Sequence, residues 1–407
     1  MDLDLSFVRS HFPGLNAEQV FFDNAGGSMT LKGVVDRIAE YLLTSDVQLG
    51  ASYPTSVLAG ARYDEARTRL SEFIGASRSE EVVFGPSSTI LLSLLAQAIE
   101  PEIKAGDVII VTRVDHQANI TPWERLAKRC DATIRYWEVD PVTRELKLAD
   151  LPIDDRTRFV AMTHASNILG GIEPIQEVAR IVHEFGAQLC VDGVAYAPHR
   201  PLDLAAWDVD YYVFSLYKVY GPHHAILYGK YNRLQSLETL GHYFFPEDQV
   251  VGKLEPGNAN YELSYGAAGV VDYFEELGQH ADASLTGAAA RKMAWDQISA
   301  HEEVLAERLL AFLRERSDVT IIGSEDSSAA VRVPTISFVH ESLLSSAIVN
   351  RVDPHGLGIR FGHFYAAQLI DVLNLNSSDG VVRVSMVHYN TIEEVDRLIE
   401  LLQSVLS

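Results

Sequence analysis

Between about Glu81 and Gly229 the chain alternates short runs of β-branched and aromatic residues with stretches of helical periodicity. The apolar runs are EVVFG, DVIIVTR, ATIRYWEV, RFVAMTHA, AQLCVDGV, YYVFS and AILYG, and amphipathic segments such as PIQEVARIVHEFG separate several of them. Runs that are apolar throughout suit strands covered on both faces, so the pattern predicts an α/β domain on a mostly parallel, seven-stranded sheet. The last two runs are close enough to pair as a hairpin around YGPHH. Upstream, GARYDEARTRLSEFIGA has helical spacing and ends at Gly75, a C-cap position.

Past about residue 260 the pattern changes. A long helical stretch is predicted from about Asp282 to Arg316, followed by the strand-like runs VTIIG, VPTISFV, GIRFG and VVRVSMV. The closing segment TIEEVDRLIELLQSVL sets Thr391 before Glu394 at the spacing of a capping box. These elements predict a smaller α+β domain. The expected division is an N-terminal segment, 1–20, folded back on the small domain, a large domain over 21–260 and the small domain over 261–407. No internal repeat or low-complexity linker interrupts the chain, and GSEDSSAA reads as a polar loop.

Composition narrows the functions open to such a fold. The 407 residues are 47% hydrophobic and 22% charged, enough for a large core. A formal net charge of −23 repels phosphate backbones and no Lys/Arg run compensates, so nucleic-acid binding is not expected; so much acid suits a solvated surface. No apolar run approaches the roughly 20 residues of a membrane span. The start, MDLDLSFVRSHFPGL, lacks the basic and apolar regions of a signal peptide, and a cytoplasmic protein is expected. Two cysteines, Cys130 and Cys190, cannot build a disulfide framework or a cysteine-rich zinc site, and no metal is expected.

An open α/β sheet binds ligands beyond the carboxyl ends of its strands, and those ends are polar here. VVFGPSSTILLSLLAQAIE leaves a strand at Phe84 and begins a helix near Ser88, so Ser87, Ser88 and free backbone N–H groups meet a positive helix terminus. That is either a phosphate cup or a plain helix cap. VTRVDHQANITPW ends a strand with His116, a ring able to lie flat on an aromatic ligand or to move a proton. MTHASNILGG supplies His164, Ser166 and Asn167, or else a loop tied by its own side-chain hydrogen bonds. In LCVDGVAYAPHRP, Asp192 follows Leu189, Cys190 and Val191 into a dry strand end. There it needs backbone N–H donors in a turn or the protonated ring nitrogen of a cofactor. Lys218, in VFSLYKVYGPHH, ends the next strand and can face the same crevice. A lysine beside an anion cup, an acid and a flat ring fits pyridoxal phosphate, which such a lysine carries and serves by moving the substrate's proton. The bland alternative, a surface lysine at a turn, requires several strand ends to match by chance.

In order and spacing, VFFDNAGGSMT, SSTI, DHQANITPW, THASNILGG, CVDGVAYAPH, FSLYKVYGP, EPGNAN, IRFGHFYA and VRVSMVHYNTIEEVDRL resemble one family over nearly the whole chain. It is the class V aminotransferase family of fold type I and, within it, the cysteine desulfurase-like branch. The resemblance implies that Lys218 is the Schiff-base lysine, Asp192 the partner of the pyridinium nitrogen and His116 the ring stacked on the cofactor. It implies Asn167 near the phenolic oxygen and Ser87, Ser88 and Ser215 around the phosphate, with Tyr217 among the cofactor-binding residues. Asn258, in EPGNAN, takes the place of a residue that reaches the phosphate from the second subunit of a homodimer. Arg383 matches the arginine that clamps the substrate carboxylate, a task suited to a guanidinium fork. Arg360, Tyr365 and Tyr53 are expected beside the substrate, with His199 and His363 as further pocket residues.

Three departures bear on the chemistry. Tyr365 stands where desulfurases of this branch carry the cysteine that takes sulfur from the substrate. Cys190, inside an apolar strand, and Cys130, in AKRCDATIR, both read as structural. A tyrosine cannot accept sulfur, although it can donate a proton or shape a pocket. Ala195 replaces a glutamine near the phenolic oxygen, and Tyr217 replaces a histidine before the lysine. The expected function is a pyridoxal-phosphate enzyme acting on a small or cysteine-derived amino acid by C–S lyase chemistry without a protein persulfide. The alternatives are an aminotransferase using a keto acid, an epimerase, and a non-catalytic cofactor-binding partner protein.

Overall fold

The computed structural model describes residues 2–15, 18–246, 249–257 and 259–407. Its strands in chain order are β1 (Val20–Phe21), β2 (Val82–Gly85), β3 (Val108–Thr112), β4 (Thr133–Trp137), β5 (Thr157–Thr163), β6 (Gln188–Asp192), β7 (Tyr211–Ser215), β8 (Ala225–Gly229), β9 (Val319–Ile321), β10 (Thr335–His340), β11 (Leu357–Gly358), β12 (Arg360–Gly362) and β13 (Val381–Ser385). Strands β2 to β8 form one sheet in the order β2-β8-β7-β6-β5-β3-β4, in which β8 alone runs against its neighbours. The seven apolar runs of the sequence are these seven strands. β7 and β8 pair as the hairpin around YGPHH, with Ser215 opposite Ala225.

The inner strands are almost wholly apolar because consecutive side chains enter different cores, whereas the edge strand β4 keeps Thr133 exposed and Arg135 half-buried. Val108, Ile110, Val160, Met162, Leu189 and Val191 face one layer, which the helix Tyr261–Ala281 joins through Ala267, Val270, Val271 and Phe274. Ile109, Val111, Phe159, Ala161 and Cys190 face the other, against Leu91 and Leu95 of helix Ser88–Ala98 and Trp123 and Leu126 of helix Thr121–Cys130. Fully burying an aliphatic side chain contributes roughly 1.5–3 kcal/mol, so both faces stabilise the sheet. Helix Pro54–Phe73 is followed by Gly75 at φ +65°, where a Cβ would lie 2.9 Å from Asp203 Cα, so only glycine closes this turn without strain.

Downstream, β12-β13-β10-β9 make an antiparallel sheet. Its Ile336, Phe338, Val382 and Val384 pack on Leu305, Leu309 and Leu313 of helix Gly287–Arg314 and on Leu398 and Leu402 of helix Ile392–Val405. The second helix carries the capping box legible in the sequence: Glu394 N donates to Thr391 Oγ1 at 3.2 Å and Thr391 N to Glu394 Oε2 at 3.1 Å. The helix expected from about Asp282 starts only at Gly287, because the Asp282 carboxylate accepts from Ser284 N (2.9 Å) and Oγ (2.7 Å) and holds a turn there. At the N-terminus Arg9 Nη1 donates to Tyr389 O (2.8 Å) and Glu394 Oε1 (2.9 Å), and β1 pairs in parallel with β11. Among the described residues no helix is long and apolar enough to cross a membrane.

Candidate active site

A pocket opens at the carboxyl ends of β5, β6 and β7, where an open α/β sheet places its ligands. Asp192, the last residue of β6, is in register with Thr163 of β5 and Val213 of β7. Lys218 follows Ser215, the last residue of β7, after one short turn of 3₁₀ helix. Lys218, Asp192, His116, Asn167, Ser88, Ser215 and Tyr217 line this one pocket, with Thr89, Thr163 and Ala195 between them.

Desolvation shapes its electrostatics. Lys218 is 8% exposed. Burial, reinforced by the neighbouring Arg383 cation, lowers its pKa to about 8 against the pull of Asp192 and Asp23. Burial raises the Asp192 carboxyl to about 6, opposed by the hydrogen bond from Val194 N (2.9 Å) and by the Lys218 charge. A buried acid and a buried amine are thus both held nearer to neutral pH than in water. His116 Nδ1 accepts from Ala118 N at 3.0 Å, which leaves the proton on Nε2. Burial, then Lys218 and Arg383, lowers its pKa to about 4 and keeps the ring neutral. Behind it the fully buried Asp115 accepts from Asn119 Nδ2 (2.8 Å) and Thr163 N (3.1 Å), tying the end of β3 to that of β5.

Ser88 Oγ lies 2.8 Å from Ser215 Oγ at the start of helix Ser88–Ala98. Ser87 is absent from the pocket wall: its Oγ accepts from Ile90 N at 3.2 Å and caps the helix. Tyr217 stacks on His223 with ring centroids 5.0 Å apart. Asn167 Nδ2 donates to Phe364 O at 2.9 Å, while its Oδ1 is buried without a partner among the described residues.

Arg383, on β13, stands behind Asn167. Its Nη1 donates to Asn167 O (3.2 Å) and its Nη2 to Asp23 Oδ1 (2.9 Å), while its Nε is buried with no described partner. Its guanidinium sits 3.7 Å over the Phe364 ring. Phe364 and Tyr365 both hold left-handed backbone, φ +47° and +60°, at a cost of order 1–3 kcal/mol each. The turn is held where Gln117 N donates to Tyr365 O at 2.7 Å, and the Tyr365 ring lies 5.2 Å from that of His116. Arg360, His363, Phe364 and Tyr365 line an adjoining groove.

Other residues expected at the site lie elsewhere. Tyr53 is half exposed at the start of helix Pro54–Phe73 and off the pocket wall. His199 is buried with its Nδ1 3.0 Å from Glu302 Oε1. Asn258 lies outside the described residues. Cys190 points into the core, where burial pushes its thiol well up, and Cys130 Sγ donates to Glu100 O at 3.8 Å; neither lines the pocket. Sequence reasoning missed Thr89, Thr163 and Asp23. Thr89 is the third hydroxyl of SSTI and Asp23 sits in VFFDNAGG, so a signal existed for both.

The donors present fit pyridoxal phosphate. A buried amine, a buried carboxyl, a flat neutral ring, the Ser88 and Ser215 hydroxyls and Asn167 Oδ1, which has no described partner, share one pocket.

The family described as Aminotransferase class-V matches residues 20–398. The aminotransferase-like protein FGM3 of Gibberella zeae is 43% identical over 98% of both chains. The cysteine desulfurase-like protein ustD of Aspergillus flavus is 33% identical over 97% of this chain and 88% of its own. The apo structure of a cysteine desulfurase from Thermococcus onnurineus superimposes with a TM-score of 0.87 at 26% identity, covering 100% of this chain and 98% of that one.

Proposed function

The chain belongs to the class-V aminotransferase family, whose members depend on pyridoxal phosphate, and on that premise we propose that it is a lyase acting on a small α-amino acid. The bond broken is one on the substrate's side chain, carbon–sulfur in a cysteine-derived substrate, and no protein persulfide forms. The carrying observation is a pocket whose walls hold a buried lysine and a buried aspartate but no thiol among the described residues.

When bound, the cofactor acts as an electron sink that lowers the cost of removing a proton from the substrate's Cα. Lys218 holds the cofactor and then takes that proton, a task suited to an amine whose pKa burial has brought to about 8. Asp192 keeps a proton on the ring nitrogen; its desolvation cost as a lone anion falls once an opposite charge lies against it. His116 supplies a flat neutral face. Ser88, Ser215 and Tyr217 hold the phosphate, Asn167 the phenolic oxygen, and Arg383 the substrate carboxylate through its Nε–H, which has no described partner, and neighbouring N–H groups. Tyr365 closes the mouth as a proton donor or a wall, since a phenol cannot take up sulfur.

We propose further that the protein works as a homodimer. Exposed Leu43, Val57, Leu58, Ile90, Tyr243 and Phe244 support this reading, because apolar side chains of this size gain from being covered. Transamination is the second reading, favoured by the description of the family and the printed name of the FGM3 relative.

The test is the absorbance of the holoenzyme mixed with single amino acids, cysteine and cysteine sulfoxides among them, without a keto acid. The lyase reading expects the cofactor band to return over many turnovers while a keto acid accumulates. Lasting conversion of the cofactor to its amine form overturns it in favour of an aminotransferase.

A further inference from the structure

We infer that Asp23 is a positioning residue that fixes the charge of the substrate clamp, so that the site takes amino acids whose only anionic group is the α-carboxylate. The inference rests on the proposed role of Arg383.

Asp23 follows β1 and bridges in parallel to Ser385 at the end of β13, so the backbone fixes where its side chain starts. Its carboxylate spans two cations: Oδ1 accepts from Arg383 Nη2 at 2.9 Å and Oδ2 from Arg360 Nη1 at 3.3 Å. Its side chain is 16% exposed, against 2% for Arg383 and 59% for Arg360. Gly26 backs it, since a Cβ there would meet Asp23 Oδ2 at 2.9 Å. The two guanidiniums and one carboxylate leave a net single positive charge.

One α-carboxylate, reaching the Arg383 Nε that has no described partner, neutralises that charge. A second anionic group on the same substrate meets no net positive charge left on these three side chains, and any approach to Arg383, itself 2% exposed, takes it out of water. Bringing an uncompensated charge into so dry a site is costly. Asp23 also draws the exposed Arg360 toward Arg383, so removing its charge both raises the clamp to two positive charges and frees Arg360 for a second anion.

The probes are α-methylasparagine and α-methylaspartate, nearly equal in size and different in side-chain charge. Neither has an α-proton to lose, so each occupies the site of the holoenzyme without undergoing the proposed proton abstraction, and the visible band of the cofactor reports its dissociation constant. Wild type is expected to bind the amide at least tenfold more tightly than the acid. Asp23→Asn should shrink that ratio at least fivefold, and Asp23→Glu should keep it. Equal affinities in wild type overturn the inference, whether or not Asp23→Asn folds. A ratio unchanged in an Asp23→Asn protein that melts like wild type overturns it as well. Arg383→Gln separates the two levels: loss of both probes supports the clamp, whereas wild-type affinity for both removes the clamp and this inference with it. A ratio that survives Asp23→Asn overturns this inference while leaving the proposed clamp of Arg383 standing.

Discussion

Two of the buried clusters of charged groups among the described residues are built on opposite principles. In one, Glu302 is fully buried and both its oxygens are engaged, Oε1 with His199 Nδ1 at 3.0 Å and Oε2 with Arg200 Nη1 at 2.7 Å. Arg200 goes on to donate to Ala329 O and Arg332 O. In the other, the Asp192 carboxylate accepts one hydrogen bond among the described residues, Asn167 Oδ1 and Arg383 Nε have no described partner, and Lys218 is displaced toward a neutral amine. The first cluster joins helix Gly287–Arg314 to the segment after β6 and is complete in the chain alone. The second is incomplete, and its unmet hydrogen-bonding capacity is where a ligand binds best, because each buried orphan satisfied recovers about 1–3 kcal/mol. Burial of charge therefore does not by itself mark a site; what sets this one apart is a buried lysine and carboxyl sharing a pocket with unmet hydrogen-bonding capacity.

The contrast is sharpest in what removing a carboxylate does to stability. Glu302→Ala leaves His199 and Arg200 buried without their anion, and is expected to cost about 3–5 kcal/mol, read by denaturant unfolding. A loss under 1 kcal/mol would place the two clusters in one class. Asp192→Asn should act the other way in the apoprotein. The folded-state pKa of Asp192, about 6, lies above the ordinary 3.8, so the native state binds its proton more tightly than the unfolded chain does. Wild type accordingly loses stability relative to Asp192→Asn as pH climbs from about 4 to about 6, and at neutral pH the variant is expected to be more stable by roughly 3 kcal/mol. The loaded variant should nonetheless lose most activity, since an amide cannot hold the ring proton as an opposite charge. Unfolding curves of the apoproteins at pH 4 and 7 check the sign, and equal stability at both would remove the argument.

The amine of the open cluster makes a pH prediction. Its neutral form attacks the cofactor's aldehyde, so uptake of pyridoxal phosphate by the apoprotein should accelerate with pH through a midpoint near 8 in stopped-flow absorbance. An ordinary lysine would give a midpoint near 10.5, and that outcome would mean Lys218 is not desolvated. The smallest effect belongs to a third kind of polar pairing, the exposed helix cap. Thr391→Ala removes one of the two reciprocal bonds of the capping box and should cost about 1 kcal/mol, leaving cofactor uptake unchanged.

Much of this organisation was legible before folding. The inner strands announced themselves because two-sided burial demands nearly unbroken apolar runs, the edge strand β4 through its β-branched and aromatic residues, and the hairpin of β7 and β8 because the gap between its runs is short. Lys218, Asp192, His116 and Asn167 share one pocket because parallel strands bring their carboxyl ends to one rim. Ser87 and Ser88 could not be separated by that reasoning. They differ by one position, and the turn into the helix aims one into the pocket and leaves the other as a cap. His199 was misplaced because its partner, Glu302, lies 103 residues away on a different element. Asp23 was missed for the same reason, standing 360 residues from Arg383.

By itself, then, the sequence determined what depends on periods and short spacings: the main strands and some of the helices, the capping box of Thr391 and Glu394, and the rim where the lysine and the acid meet. Each rests on steric and hydrogen-bonding preferences that act within a few residues. Only the tertiary structure decided which polar groups meet and which stay unpaired. Pairing of Asp23 with Arg383 and of His199 with Glu302, and the lack of a described partner for Asn167 Oδ1, follow from packing that brings distant segments together and excludes water, and no local pattern encodes that exclusion.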